Sequence, residues 1–142
     1  MNKKRIAIIG AGIGGMTTAV ALSQKGIDIS IFEQAPALSE VGAGLTVTPN
    51  ATKGLMYLNL GEEIAKVGMA HEKQGVRHYK TGDMIVPLHR GKKMLEQYGA
   101  YQFQLHRADI HDVLVNELKK NAPDSIYVNH QLSAIKESSE SV

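Results

Sequence analysis

Four glycines and one acid near the amino terminus have the residue types and spacing to hold an adenine dinucleotide. Gly10, Gly12 and Gly15 form a Gly-x-Gly-x-x-Gly turn that also contains Gly14, and Glu33 follows 18 residues after Gly15. Gly10 lets the chain leave a strand through a tight turn where a Cβ would clash. Gly12 lets the backbone approach a pyrophosphate, and Gly15 lets the following helix pack closely on the strands. The start of that helix presents N–H groups without intrahelical partners, together with the positive end of its dipole. Glu33 can accept hydrogen bonds from the two ribose hydroxyls of an adenosine. Its charge would repel a ribose 2′-phosphate, which disfavours NADP at this site. The alternative is a βαβ unit with the same turn and no ligand.

This chemistry requires a strand, a turn, a helix and a second strand in that order. Arg5–Ile9 reads as a short buried strand, residues 14–25 as a small-residue helix, and Asp28–Phe32 as the strand that delivers Glu33. Residues 34–51 read as a long glycine-bearing loop, a length that in compact domains often marks function. Asn50 is placed to cap a helix carrying Leu55, Met56 and Leu58, and Gly61–Val67 reads as a short helix with Ile64 and Val67 on one face. Residues 75–88 read as a hairpin turning at Thr81-Gly82-Asp83. Residues 91–99, polar and bracketed by glycines, read as a mobile loop, and 101–105 as a strand. Arg107–Asn121 has Ile110, Leu114 and Leu118 at a spacing of four and is predicted to be helical. Residues 125–128 are expected to form a third parallel strand beside Asp28–Phe32.

The chain has 142 residues, enough for one domain with a core. An apolar fraction of 43%, a charged fraction of 21% and a net charge of +2 give no argument for nucleic acid or an anionic membrane. No apolar run approaches the roughly 20 residues that span a bilayer, and a cytoplasmic location is the default expectation. The absence of cysteine excludes disulfides, Cys-ligated zinc and thiol catalysis. The cluster Lys3-Lys4-Arg5 reads as a solvated terminus. His106, His111 and His130 have neither the helical spacing nor the accompanying acid of a zinc motif, so they read as solvated or packing residues and no metal site is assigned. The scattered methionines read as filler.

Four stretches together resemble the amino-terminal part of the FAD-dependent aromatic hydroxylases, the single-component flavoprotein monooxygenases that include salicylate, 3-hydroxybenzoate and urate hydroxylases. They are residues 8–17 around the glycine turn, Phe32-Glu33-Gln34-Ala35-Pro36, Val41-Gly42-Ala43-Gly44-Leu45 with Pro49-Asn50-Ala51, and His106-Arg107-Ala108-Asp109-Ile110-His111. The first is shared with many dinucleotide enzymes; the others are more particular to this group. The resemblance implies an α/β fold, a Rossmann-like FAD-binding βαβ unit with a parallel sheet, followed by the beginning of a β-rich substrate domain. It implies a partial FAD-binding domain over residues 1–135, with about 70–105 an insertion that includes the start of the substrate domain; residues 136–142, polar and low in complexity, read as a frayed tail.

The same resemblance implies FAD as cofactor, with its adenosine half on Gly10, Gly12, Gly14, Gly15 and Glu33. Gln34 and Thr46 would contact the cofactor, Arg107 would set a fixed positive charge near the pyrophosphate or ring, and the backbone near Leu132 would meet the adenine. In the family, NAD(P)H reduces the flavin and oxygen passes to an electron-rich aromatic ring. The family's later segments, an Asp-Gly pair and a Gly-Asp-Ala-Ala-His-like stretch, are not in these 142 residues. The chain therefore reads as about the first third of such an enzyme, weak or inactive alone, with no catalytic residue assigned and an exposed apolar edge beside residues 6–9. Three readings stay open: a monooxygenase portion, alone or completed by a second chain; a non-catalytic dinucleotide-binding remnant; and an NAD-binding dehydrogenase domain.

Overall fold

A computed structural model describes residues 5–39 and 42–137. The expectations for Lys3 and Lys4, for Val41 and for the tail beyond residue 137 lie outside the described residues. In chain order the elements are β1 (Arg5–Ile9), α1 (Ile13–Ser23), β2 (Asp28–Phe32), β3 (Gly44–Val47), α2 (Pro49–Tyr57), α3 (Gly61–Val67), β4 (Lys73–Arg77), β5 (Met84–His89), α4 (Lys92–Tyr98), β6 (Phe103–His106), α5 (Arg107–Asn121) and β7 (Ile126–Tyr127). The chain divides into two compact units, Met1–Glu40 with Leu114–Val142, and Val41–Val113.

In the first unit, β1, β2 and β7 form a parallel sheet in the order β1-β2-β7. Arg5 stands opposite Asp28 and Ile9 opposite Phe32, while Ile31 and Phe32 pair with Ile126 and Tyr127. The isoleucines of β1 and β2 suit a pleated, half-buried surface, and Ile8, Ile29 and Ile31 are buried with Met16, Ala19 and Val20 of α1 and Leu114 and Leu118 of α5. Helix α1 stops at Ser23, two residues earlier than expected. Gly26 takes a left-handed φ of +70°, and its N–H donates to the Ser23 carbonyl at 2.9 Å, closing the helix as such glycines do.

Among the described residues β1 is an edge strand, and Ile9 on it is 51% exposed. An unpaired apolar strand edge is a template for association. The purified chain is expected to self-associate in a concentration-dependent way, and Ile9→Lys to shift it toward monomer in sedimentation velocity. A wild-type chain that stays monomeric and melts cooperatively at high concentration would contradict this.

The second unit departs from the sequence expectation in three places. Residues 34–51 are not one loop: Gly44–Val47 is a strand, antiparallel to β6 with Gly44 opposite His106 and Val47 opposite Phe103. The cap of α2 is Thr48 rather than Asn50, because Pro49 occupies the first helical position, where its fixed φ and missing N–H cost nothing. Residues 91–99 are not a loop but carry α4, capped by Gly91 (φ +60°) and Gly99 (φ +71°). The hairpin of β4 and β5 is present, with a bulge at Val76/Arg77 that ends β4 at Arg77. Its turn accordingly starts at His78, whose N–H donates to the Asp83 carbonyl at 2.8 Å. Val47, Leu55, Leu58, Leu60, Ile64 and Phe103 form the buried centre of this unit.

Candidate functional site

The glycine turn joins β1 to α1 with little room for side chains. Gly10 has φ +92°, and its N–H donates to the Phe32 carbonyl at 2.8 Å, which continues the β1–β2 ladder to the mouth of the turn. Gly15 packs its α-carbon side against that turn. A Cβ there would overlap the Gly10 carbonyl oxygen and lie 3.1 Å from the Gly10 carbonyl carbon and 3.4 Å from Ile8 Cγ2. Gly12 caps α1 in an extended conformation (φ −69°, ψ 178°) with no side-chain cap, and the first turn of α1 contains no acid. Gly14 is exposed, with nothing within 4 Å of where a Cβ would stand. The amino end of an eleven-residue helix is thus bare backbone, with its first-turn N–H groups lacking intrahelical partners and its dipole directed outward. These features fit a diphosphate.

Glu33, at the end of β2, is half-buried and fixed by backbone donors. The Ala11 N–H donates to Oε2 and the Ala35 N–H to Oε1, each at 2.8 Å. These two bonds orient the carboxylate, whose oxygens can each accept more than one hydrogen bond. The Ala11 bond also ties the acid to the glycine turn, so the parts expected to hold pyrophosphate and ribose are brought together. Ala11 and Ala35 were not singled out in the sequence. The signal for them is positional only: one lies inside the turn and the other two residues after the acid.

Gln34 follows on the exposed side of the same segment. The chain after β7 is stitched to it: the Asn129 N–H donates to the Ala35 carbonyl and the His130 N–H to the Glu33 carbonyl, both at 2.8 Å. Asn129 has φ +58°, and the rings of Phe32, Tyr127 and His130 lie 5.3 to 5.9 Å apart. Leu132 lies two residues beyond this turn, 47% exposed and in irregular backbone.

Thr46 and Arg107 belong to the second unit. Thr46 is an exposed residue of β3 opposite Gln104, and Arg107 opens α5 with its N–H donating to the Ala43 carbonyl at 3.0 Å. Thr46 lines a cavity of about 560 Å³ together with Gly44, Met69, His71, Gln104 and His106. His71 and Gln104 lay outside the sequence-derived set because only the β3–β6 pairing and the bridge between Met69 and Gln104 bring them there. His111 is buried at 3% exposure, whereas His106 and His130 are exposed. Among the described residues no group of three His, Asp or Glu side chains could hold a metal ion, and no helix is long and apolar enough to cross a membrane.

Comparison with known proteins shows the family. A family model described as an FAD binding domain matches residues 3–142. The chain is 37% identical over 122 residues to the 6-hydroxynicotinate 3-monooxygenase of Pseudomonas fluorescens, covering 86% of this chain and 31% of that protein. It is 33% identical over 127 residues to the 3-hydroxybenzoate 6-hydroxylase 1 of Aquipseudomonas alcaligenes, covering 89% of this chain and 32% of that one. Among solved structures, Klebsiella pneumoniae HpxO complexed with FAD and uric acid superposes with a TM-score of 0.81 at 25% identity, over 97% of this chain and 34% of that chain. The chain spans about a third of the length of the curated relatives it matches. From a bare helix end beside an oriented acid and a family match along nearly the whole chain, it follows that this chain belongs to the FAD binding domain family of the flavin-dependent aromatic hydroxylases.

Proposed function

We propose that this chain is the adenosine- and pyrophosphate-holding portion of an NAD(P)H-dependent monooxygenase that hydroxylates a small aromatic ring. The observation that carries this reading is the pair of 2.8 Å bonds fixing Glu33 beside the uncapped amino end of α1. In this proposal the backbone of Gly10, Gly12, Gly14 and Gly15 receives the pyrophosphate, and Glu33 accepts the ribose hydroxyls. Gln34 and Thr46 contact the cofactor, Arg107 supplies a fixed positive charge toward it, and the backbone near Leu132 meets the adenine. FAD, when bound, supplies the redox chemistry that activates oxygen; the residues of this chain bind and orient. The substrate class is taken from the relatives, whose names specify 6-hydroxynicotinate and 3-hydroxybenzoate and whose solved counterpart was complexed with uric acid.

The isolated 142-residue chain is proposed to bind cofactor with little or no turnover, in the cytoplasm, and to need further protein, in the same chain or in a second one, for hydroxylation. Shielding a reactive flavin from water is a property of a closed site. Titration of the purified chain with FAD, followed by flavin fluorescence and absorbance, is expected to give saturable binding. NADH consumption with added phenols is expected to stay at the background rate. A chain that remains colourless with excess FAD would remove the flavin reading, and hydroxylation coupled to NADH and oxygen use would remove the inactive one.

A further inference from the structure

We propose that the side chain of His130 reads the 6-amino group of an adenine, so that the nucleotide site of the first unit selects adenosine over nucleosides with a 6-oxo base. The inference rests on the proposal that Glu33 accepts the ribose hydroxyls of an adenosine. The main chain of that acid is clamped by the strand and turn that carry the histidine. The Glu33 N–H donates to the Tyr127 carbonyl at 2.9 Å, and the His130 N–H donates to the Glu33 carbonyl at 2.8 Å. His130 therefore stands beside the acid, one backbone hydrogen bond away. A base is joined directly to its ribose, so a base on a ribose held by Glu33 has this turn as a neighbour.

The imidazole is exposed yet fixed. Its Nδ1 lies 2.7 Å from the Val128 carbonyl oxygen. A carbonyl can only accept, so Nδ1 carries the hydrogen, and in the neutral ring Nε2 is left as an acceptor. The ring packs edge-on against Tyr127 and tilted against Phe32, with centroids 5.9 Å away in each case. Asn129, at φ +58°, ties the turn to the Ala35 carbonyl at 2.8 Å. Among the described residues no hydrogen bond engages Nε2. The outcome is one acceptor of settled tautomer, held at the surface beside the ribose-binding acid. The exocyclic amine of adenine is a donor that this nitrogen can receive, whereas the 6-oxo group of hypoxanthine or guanine is an acceptor. A 6-oxo base would set lone pair against lone pair and leave both groups unpaired.

The test titrates the 142-residue chain with ADP and with inosine 5′-diphosphate, which share ribose and diphosphate and differ at the 6-position and the adjoining ring nitrogen. Titrations are run at about pH 8, where a free imidazole is neutral. The wild type is expected to bind ADP about tenfold more tightly than inosine diphosphate. His130→Ala is expected to weaken ADP about tenfold and to leave inosine diphosphate nearly unchanged. His130→Asn, which can keep the bond to Val128 but lacks the outer acceptor, should likewise bind the two alike. His130→Gln, whose Oε1 can accept where Nε2 stood, is expected to restore most of the preference. Equal wild-type affinities, or a preference that survives both His130→Ala and His130→Asn, would overturn the proposal and leave the role of Glu33 standing. Binding of neither nucleotide would overturn both. Should His130→Ala lose its cooperative melt, the ratio in His130→Asn decides.

Discussion

Gly15→Ala is expected to lower the melting temperature of the chain by about 10 °C and to remove measurable binding of FAD and of ADP. The added Cβ would overlap the Gly10 carbonyl oxygen and press on the Gly10 carbonyl carbon and Ile8 Cγ2. None of these is the free end of a flexible side chain. Relief requires α1 to move away from β1 or Gly10 to leave its φ of +92°. Overpacking of this kind costs about 3 kcal/mol, and in a chain of this size each kcal/mol corresponds to roughly 3–4 °C. Either movement also displaces the first-turn N–H groups from a common focus, so phosphate binding falls further than stability does. Gly14→Ala is the control, because the same added methyl meets nothing within 4 Å and should leave the melting temperature nearly unchanged. Calorimetry and ADP titration of the two variants side by side separate packing from ligand contact. A Gly15→Ala chain melting with the wild type would contradict the close packing of α1 on the turn.

The second large effect is expected at Glu33. Glu33→Ala removes the acceptor of two backbone N–H groups, those of Ala11 and Ala35, as well as the acceptor proposed for the ribose. Hydrogen bonds to a charged group contribute about 1.5–3 kcal/mol, so the loss of ribose contacts and of turn rigidity should weaken ADP and FAD binding about 100-fold. Glu33→Gln keeps one acceptor oxygen but presents an amide N–H₂ to the other backbone donor, and a loss of about tenfold is expected. The 2′-phosphorylated form of ADP should bind the wild type more weakly than ADP, and Glu33→Gln should narrow that gap because the repelling charge is gone. Equal ADP affinity in wild type and Glu33→Ala would place the adenosine elsewhere.

Much of the site was legible in the sequence because its demands are local. A glycine needed for positive φ or close approach is visible as a glycine, and β1, β2 and α5 follow from residue type and spacing over a few positions. Hence Arg5–Ile9, Asp28–Phe32 and Arg107–Asn121 were anticipated at their observed bounds. The same glycine rule misled at residues 91–99. Positive φ at Gly91 and Gly99 serves a loop and the two ends of a helix equally well, so residue type alone could not choose between them.

By itself the sequence determined the dinucleotide turn, the acid that follows it, the parallel βαβ unit and, through its family stretches, the flavin setting. Tertiary structure decided three things that depend on residues far apart in the chain. Gly44–Val47 became a strand because β6, some sixty residues later, offers a matching edge. Glu33 became an oriented acceptor because the turn brings the Ala11 N–H within 2.8 Å of it. Thr52 became a buried hydroxyl with no hydrogen-bond partner among the described residues because α2 packs that face into the centre of its unit. Local patterns record what a residue must permit in its own backbone; only packing records which distant group it meets.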